Sequence, residues 1–140
     1  MASDQPWLAA GRTGAEHSEQ VFRREGEYWT IVFAGVTCRL RDIRGLRHLA
    51  LLLAHPHDDI AALVLERGAL DPHERARGED AGPQDARERA RVNVTRAISA
   101  ALKRIDEHHP ILGRHLAATI RTGMFCSYTP DPRVPVGWTE

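Results

Sequence analysis

A chain of 140 residues can bury one modest core, and 42% hydrophobic with 27% charged side chains is a globular balance rather than a disordered one. Nineteen basic residues against 19 acidic ones leave a formal net charge of zero, which counts mildly against nucleic-acid binding but hides how the charge is distributed. The longest apolar run, Leu49 to Ala54, is far too short to span a bilayer, and the opening residues lack the apolar core of a signal peptide, so a cytoplasmic protein without membrane contact is expected.

Residues 1–20 mix Gly, Ala, Ser and charge without a period and are expected to form a flexible tail. A single domain is expected over 21–129. Tyr28 to Phe33 has the aromatic and β-branched content of a strand. Ala34-Gly35 supplies a turn, and Val36 to Leu40 returns with Val36, Cys38 and Leu40 on one face, making a β-hairpin. Asp42 is expected as the N-cap of a helix carrying Ile43, Leu46, Leu49, Ala50, Leu52 and Leu53 at helical spacing, ended by His55-Pro56. A short apolar piece, Ile60 to Leu65, closes at Gly68. Residues 69–84 carry two prolines and two glycines with an acidic bias, and are expected as a loop insertion.

A long helix is predicted from about Gln84 to Glu107. Val94, Ile98, Ala101, Leu102 and Ile105 fall on one face, while Arg89, Arg96 and Lys103 recur every seven residues on the opposite one. His108-His109-Pro110 ends it. Ile111, Leu112 and Leu116 suggest a short helical turn, and Thr119 to Tyr128 reads as a second hairpin turning at Gly123. Residues 130–140 form a Pro-rich C-terminal tail in which Val134, Val136 and Trp138 can lie over the body.

The order hairpin, helix, short helix, long helix, hairpin resembles a winged helix-turn-helix domain of the response-regulator type. Leu46 to Leu53 followed by His55-Pro56 match that family's first helix. The stretch RVNVTRAISAALKRI matches its recognition helix through Val92, Val94, Ile98, Leu102, Lys103 and Arg104, and TIRTGMFCSY matches its wing through Arg121, Gly123 and Tyr128. The chain more closely resembles a C-terminal module of large actinobacterial regulators and signalling ATPases. Four blocks carry that likeness: FRREGEYWTI, RLRD with GLR and LLAHP, RARVNVTRAI, and the run from Leu112 to Pro132. Those blocks mark membership rather than an activity, and no ATPase or receiver sequence accompanies them in these 140 residues. The resemblance implies an α+β winged helix-turn-helix fold with an N-terminal β-hairpin, about three helices and a C-terminal β-hairpin wing.

On a recognition helix, Arg89, Asn93, Arg96, Ser99 and Lys103 would reach bases and phosphates in the major groove, and Arg121 with Thr122 at the hairpin tip would reach the backbone or minor groove. Arg87 to Arg121 holds eight basic and three acidic residues, so this segment carries +5 within a neutral chain. Arg39, Arg41, Arg44 and Arg47 flank the first helix, where they can hold a nucleic-acid backbone or pair with Asp42. The histidines of His55-Pro56-His57 and His108-His109 lack the i, i+4 spacing of helical zinc ligands and suit helix C-termini instead. No phosphate loop, nucleophile elbow or paired carboxylates point to catalysis. Cys38 and Cys126 have no metal spacing and are expected as two buried thiols, a thiol switch between them being the alternative.

These features lead to a non-enzymatic, cofactor-free and metal-free regulator that binds double-stranded DNA as a homodimer. Dimerisation would come through the first hairpin or the tail with Trp138. The rival reading is a protein-interaction or ligand-sensing winged-helix module that does not touch DNA.

Overall fold

Three strands open the structure, a computed structural model that describes residues 20–69, 83–133 and 137–139. β1 (Gln20–Glu25), β2 (Tyr28–Phe33) and β3 (Val36–Arg41) form an antiparallel meander with Phe22 opposite Ile31, Trp29 opposite Leu40 and Ile31 opposite Cys38. Alternation sends Phe22, Trp29, Ile31 and Leu40 inward. The two-residue turn at Ala34-Gly35 has φ of 52° and 78°, the doubly left-handed geometry that matches strand twist. The expected hairpin is therefore two strands of a larger sheet. Its fourth strand, β7 (Trp138–Thr139), pairs parallel to β1, giving the order β3-β2-β1-β7. Part of the C-terminal tail is thus tied to the body.

α1 (Arg44–Ala54) follows. Ile43, not Asp42, occupies its N-cap, and no side chain caps it. Asp42 instead accepts hydrogen bonds from Trp29 Nε1 at 2.8 Å and Arg47 Nη2 at 2.6 Å, with Arg24 Nη2 at 3.1 Å. Two guanidinium groups and an indole N–H outcompete the helix N–H groups for this carboxylate. Burial favours the neutral carboxyl, but these hydrogen bonds and the charges of Arg47 and Arg24 outweigh it and hold Asp42 below the usual carboxylate range.

The short apolar piece divides into β4 (Ile60–Ala61) and α2 (Ala62–Ala69). The loop expected at 69–84 and the tail expected at 1–20 lie almost wholly outside the described residues. α3 (Pro83–His108) is the long helix, about 39 Å at 1.5 Å per residue. α4 (Pro110–Thr119) is a full ten-residue helix where a single turn is predicted, so the described chain has four helices rather than three. His109 begins it: its Nδ1 accepts from Leu112 N at 3.2 Å, which leaves Nε2 protonated and donating to the Phe33 carbonyl at 2.9 Å. The expected C-terminal role of His109 is therefore an N-terminal one. β5 (Ile120–Arg121) and β6 (Phe125–Tyr128) form the second hairpin, which β4 extends to a three-stranded sheet in the order β4-β6-β5.

The architecture is mixed α+β with two small sheets. One core joins them: Leu46, Leu49, Leu52 and Leu53 of α1, Leu65 of α2, Ala90 to Ile105 of α3, and Leu112 and Leu116 of α4 meet Phe22, Ile31 and Tyr128. Each large aliphatic or phenylalanine side chain among them contributes on the order of 1.5–3 kcal/mol on burial. No helix among the described residues is long and apolar enough to cross a membrane.

Candidate nucleic-acid interface

The inward face of α3 consists of Ala86, Ala90, Val94, Ile98, Ala101 and Ile105, all buried at steps of three and four. This row packs between α1 and α2 on one side and α4 on the other. At 100° per residue, Arg89, Arg96 and Lys103 then project roughly 130–170° away from the centre of that row. All three are exposed, and neither a hydrogen bond nor an ion pair engages any of them among the described residues. They stand roughly 10 Å apart along the axis, two helical turns each.

The other expected site residues divide. Ser99 is exposed beside Arg96. Asn93 is exposed too, but its Nδ2 donates to Glu66 Oε2 of α2 at 2.8 Å, so this amide braces α2 against α3. Arg91, one of the eight basic residues of the segment, pairs with Glu88 across one turn. The pairing lowers the Glu88 carboxyl and raises the Arg91 guanidinium from their ordinary values. Arg121 on β5 and the adjacent Thr122 are exposed, and no side-chain hydrogen bond or ion pair engages either among the described residues. Met124, just past the turn, shares a cleft with Gln84, Asp85, Arg87 and Glu88, which places the hairpin beside the first turns of α3. The α3 stripe and the hairpin belong to one module, with α4 inserted between them in sequence.

The cations beside α1 behave differently. Arg47 and Arg24 are held by Asp42, and Arg41 pairs with Glu27 at 3.5 Å. Arg39 lies over the Tyr28 ring at 5.4 Å.

Sequence reasoning missed an aromatic clasp. Phe33 stacks with both His115, at 5.0 Å, and Trp138, at 5.5 Å between centroids. Tyr128 Oη accepts from Trp138 Nε1 at 3.2 Å and lies 2.8 Å from His115 Nε2. Burial lowers the His115 pKa and favours its neutral imidazole. This use of Trp138 commits it to its own chain. Residues from β2, α4, β6 and β7 meet here, and no local pattern links them.

Cys38 and Cys126 are free thiols in different sheets, and burial raises the pKa of both. The described residues hold no group of three His, Cys, Asp or Glu placed to bind a metal ion. No protein-family model, curated protein or solved structure was found to match the chain.

Proposed function

We propose that the chain is a winged-helix DNA-binding module and acts in transcription regulation, with α3 entering the major groove and the β5–β6 hairpin serving as the wing. One observation carries this reading: Arg89, Arg96 and Lys103 form an exposed cationic row, unpaired among the described residues, on a helix whose opposite face is fixed in the core. Fixed backbone with free guanidinium heads is what phosphate contact and guanine reading require. The element order agrees with it, since β4 joins the terminal hairpin in a three-stranded sheet beside the helices. Asn93 is best assigned to bracing rather than to adenine. The reading assigns no catalytic step or cofactor, places the protein in the cytoplasm, and takes it as a homodimer because one module has limited contact area. Binding to random duplex DNA at two salt concentrations, beside Arg96→Glu, tests it.

A second reading is favoured by an apolar cleft of about 340 Å³ between α2 and the hairpin, lined by Ala61, Leu63, Val64, Arg87, Met124 and Phe125. On that reading the domain docks protein through this cleft and leaves DNA alone.

A further inference from the structure

Six large apolar side chains are well exposed among the described residues, and three of them share one cleft: Val64 at 55%, Met124 at 43% and Phe125 at 62%. Phe125 is driven out by strand alternation, because its neighbour Cys126 and then Tyr128 take the core. It stands beside Ala61, its register partner on β4, at the edge of the hollow formed with Leu63 and Val64. A projecting ring and an apolar hollow therefore lie side by side on one patch.

The rim carries both charges. Asp85 and Arg87, in the first turn of α3, flank Met124, and neither has an ion pair or hydrogen bond among the described residues. The nearby Glu88 is already taken by Arg91. A two-fold interface demands such a surface, since each patch must supply both the knob and the hole, and both signs of charge. A partner of one sign would leave either Asp85 or Arg87 facing its like.

We propose that this patch binds a second copy of the chain, with Phe125 of each copy in the Ala61–Leu63–Val64 hollow of the other and Arg87 of each meeting Asp85 of the other. Arg87 lies about 200° around the helix from Arg89, while Asp85 sits one turn before Arg89 on the row's own side, so the contact borders the N-terminal end of the row and leaves Arg96 and Lys103 open. The surface takes up the homodimer of the DNA reading, but its test contains no DNA, so either can fail without the other.

Sedimentation equilibrium of the full chain over roughly 10 to 500 μM decides it. The expected mass rises with concentration from 15.6 kDa toward twice that value. Phe125→Glu and Val64→Glu, both at exposed positions, keep the circular dichroism of the parent and stay monomeric. Arg87→Asp alone weakens association about tenfold or more, and adding Asp85→Arg restores it to within about threefold of the parent. A parent chain that stays monomeric throughout would overturn the proposal and leave the cleft to a different partner. Undiminished association of both glutamate variants would overturn it equally. A double swap no tighter than Arg87→Asp would remove the charge pairing.

Discussion

Gly45 of α1 sits against the Ala97 carbonyl of α3, so close that a Cβ at position 45 would overlap that oxygen and stand 2.7 Å from Ala101 Cβ. The two helices touch backbone to backbone there. That contact fixes the roll of α3, and with it the direction in which Arg89, Arg96 and Lys103 point.

Gly45→Ala is therefore expected to destabilise the fold by about 3 kcal/mol, the upper part of the range for overpacking, because the opposing atom is backbone and cannot rotate away. Gly68, whose added Cβ would meet nothing within 4 Å, provides the control. Gly68→Ala should change stability by less than about 1 kcal/mol. Urea midpoints measure both, and equal midpoints would contradict the close crossing.

His48 faces the core from α1, 2% exposed, and its Nε2 has no hydrogen-bond partner. Burial, with the charges of Arg44 and Arg47, lowers its pKa from 6.5 to about 4, while a Leu65 backbone hydrogen bond pulls the other way. A lowered folded pKa means that the unfolded chain takes the proton first. Stability is complete above pH 6.5 and falls as the pH drops toward about 4, by about 3 kcal/mol in total. His48→Leu keeps the packing and removes the proton, so its stability should vary less over that interval. Parallel pH curves for parent and variant would show that His48 is not the group responsible.

Asp42 joins β1, β2 and α1 through Arg24, Trp29 and Arg47. Asp42→Asn keeps the shape but removes the charge between two guanidinium groups. The arginines are 47% and 36% exposed, so water screens them and the loss is set at about 1–2 kcal/mol. Because the folded pKa is lowered, the native carboxylate contributes stability above the unfolded pKa and loses it as acid protonates the group. Thermal melts at pH 7 and pH 3 should differ less for the variant than for the parent. A variant with the parent's full acid sensitivity would exclude Asp42 as a source of it.

Tyr128→Phe deletes the hydroxyl that His115 and Trp138 share, at an expected cost of about 1–2 kcal/mol. The loss should be local. Amide exchange of β7 is expected to speed up while α1 and α3 keep their protection. Unchanged exchange at Thr139 would mean that the clasp does not hold the tail strand.

Regular periods made the long elements legible in the sequence. The α3 row at steps of three and four announced both the helix and its polar opposite face, and Ala34-Gly35 announced its turn. Elements defined by partners rather than by pattern were not legible. β1 was hidden by the charges of Arg23, Arg24 and Glu25, and β4 and β7 are two residues each. α4 was masked by Gly113, which packs against Asp106 where a larger residue would collide. At the candidate site, sequence placed the cationic row but could not see that Glu66, 27 residues away, occupies Asn93. The cleft around Phe125 depends on β6 pairing with β4, a contact between distant segments.

Salt-dependent binding to random duplex DNA tests the central claim most directly. If the α3 row and the hairpin engage about six phosphates, log Kd should rise with log salt with a slope of roughly 5, and Arg96→Glu should abolish binding with the fold intact. Equal affinity of parent and Arg96→Glu, or no binding by the parent at about 50 mM salt, would contradict the account.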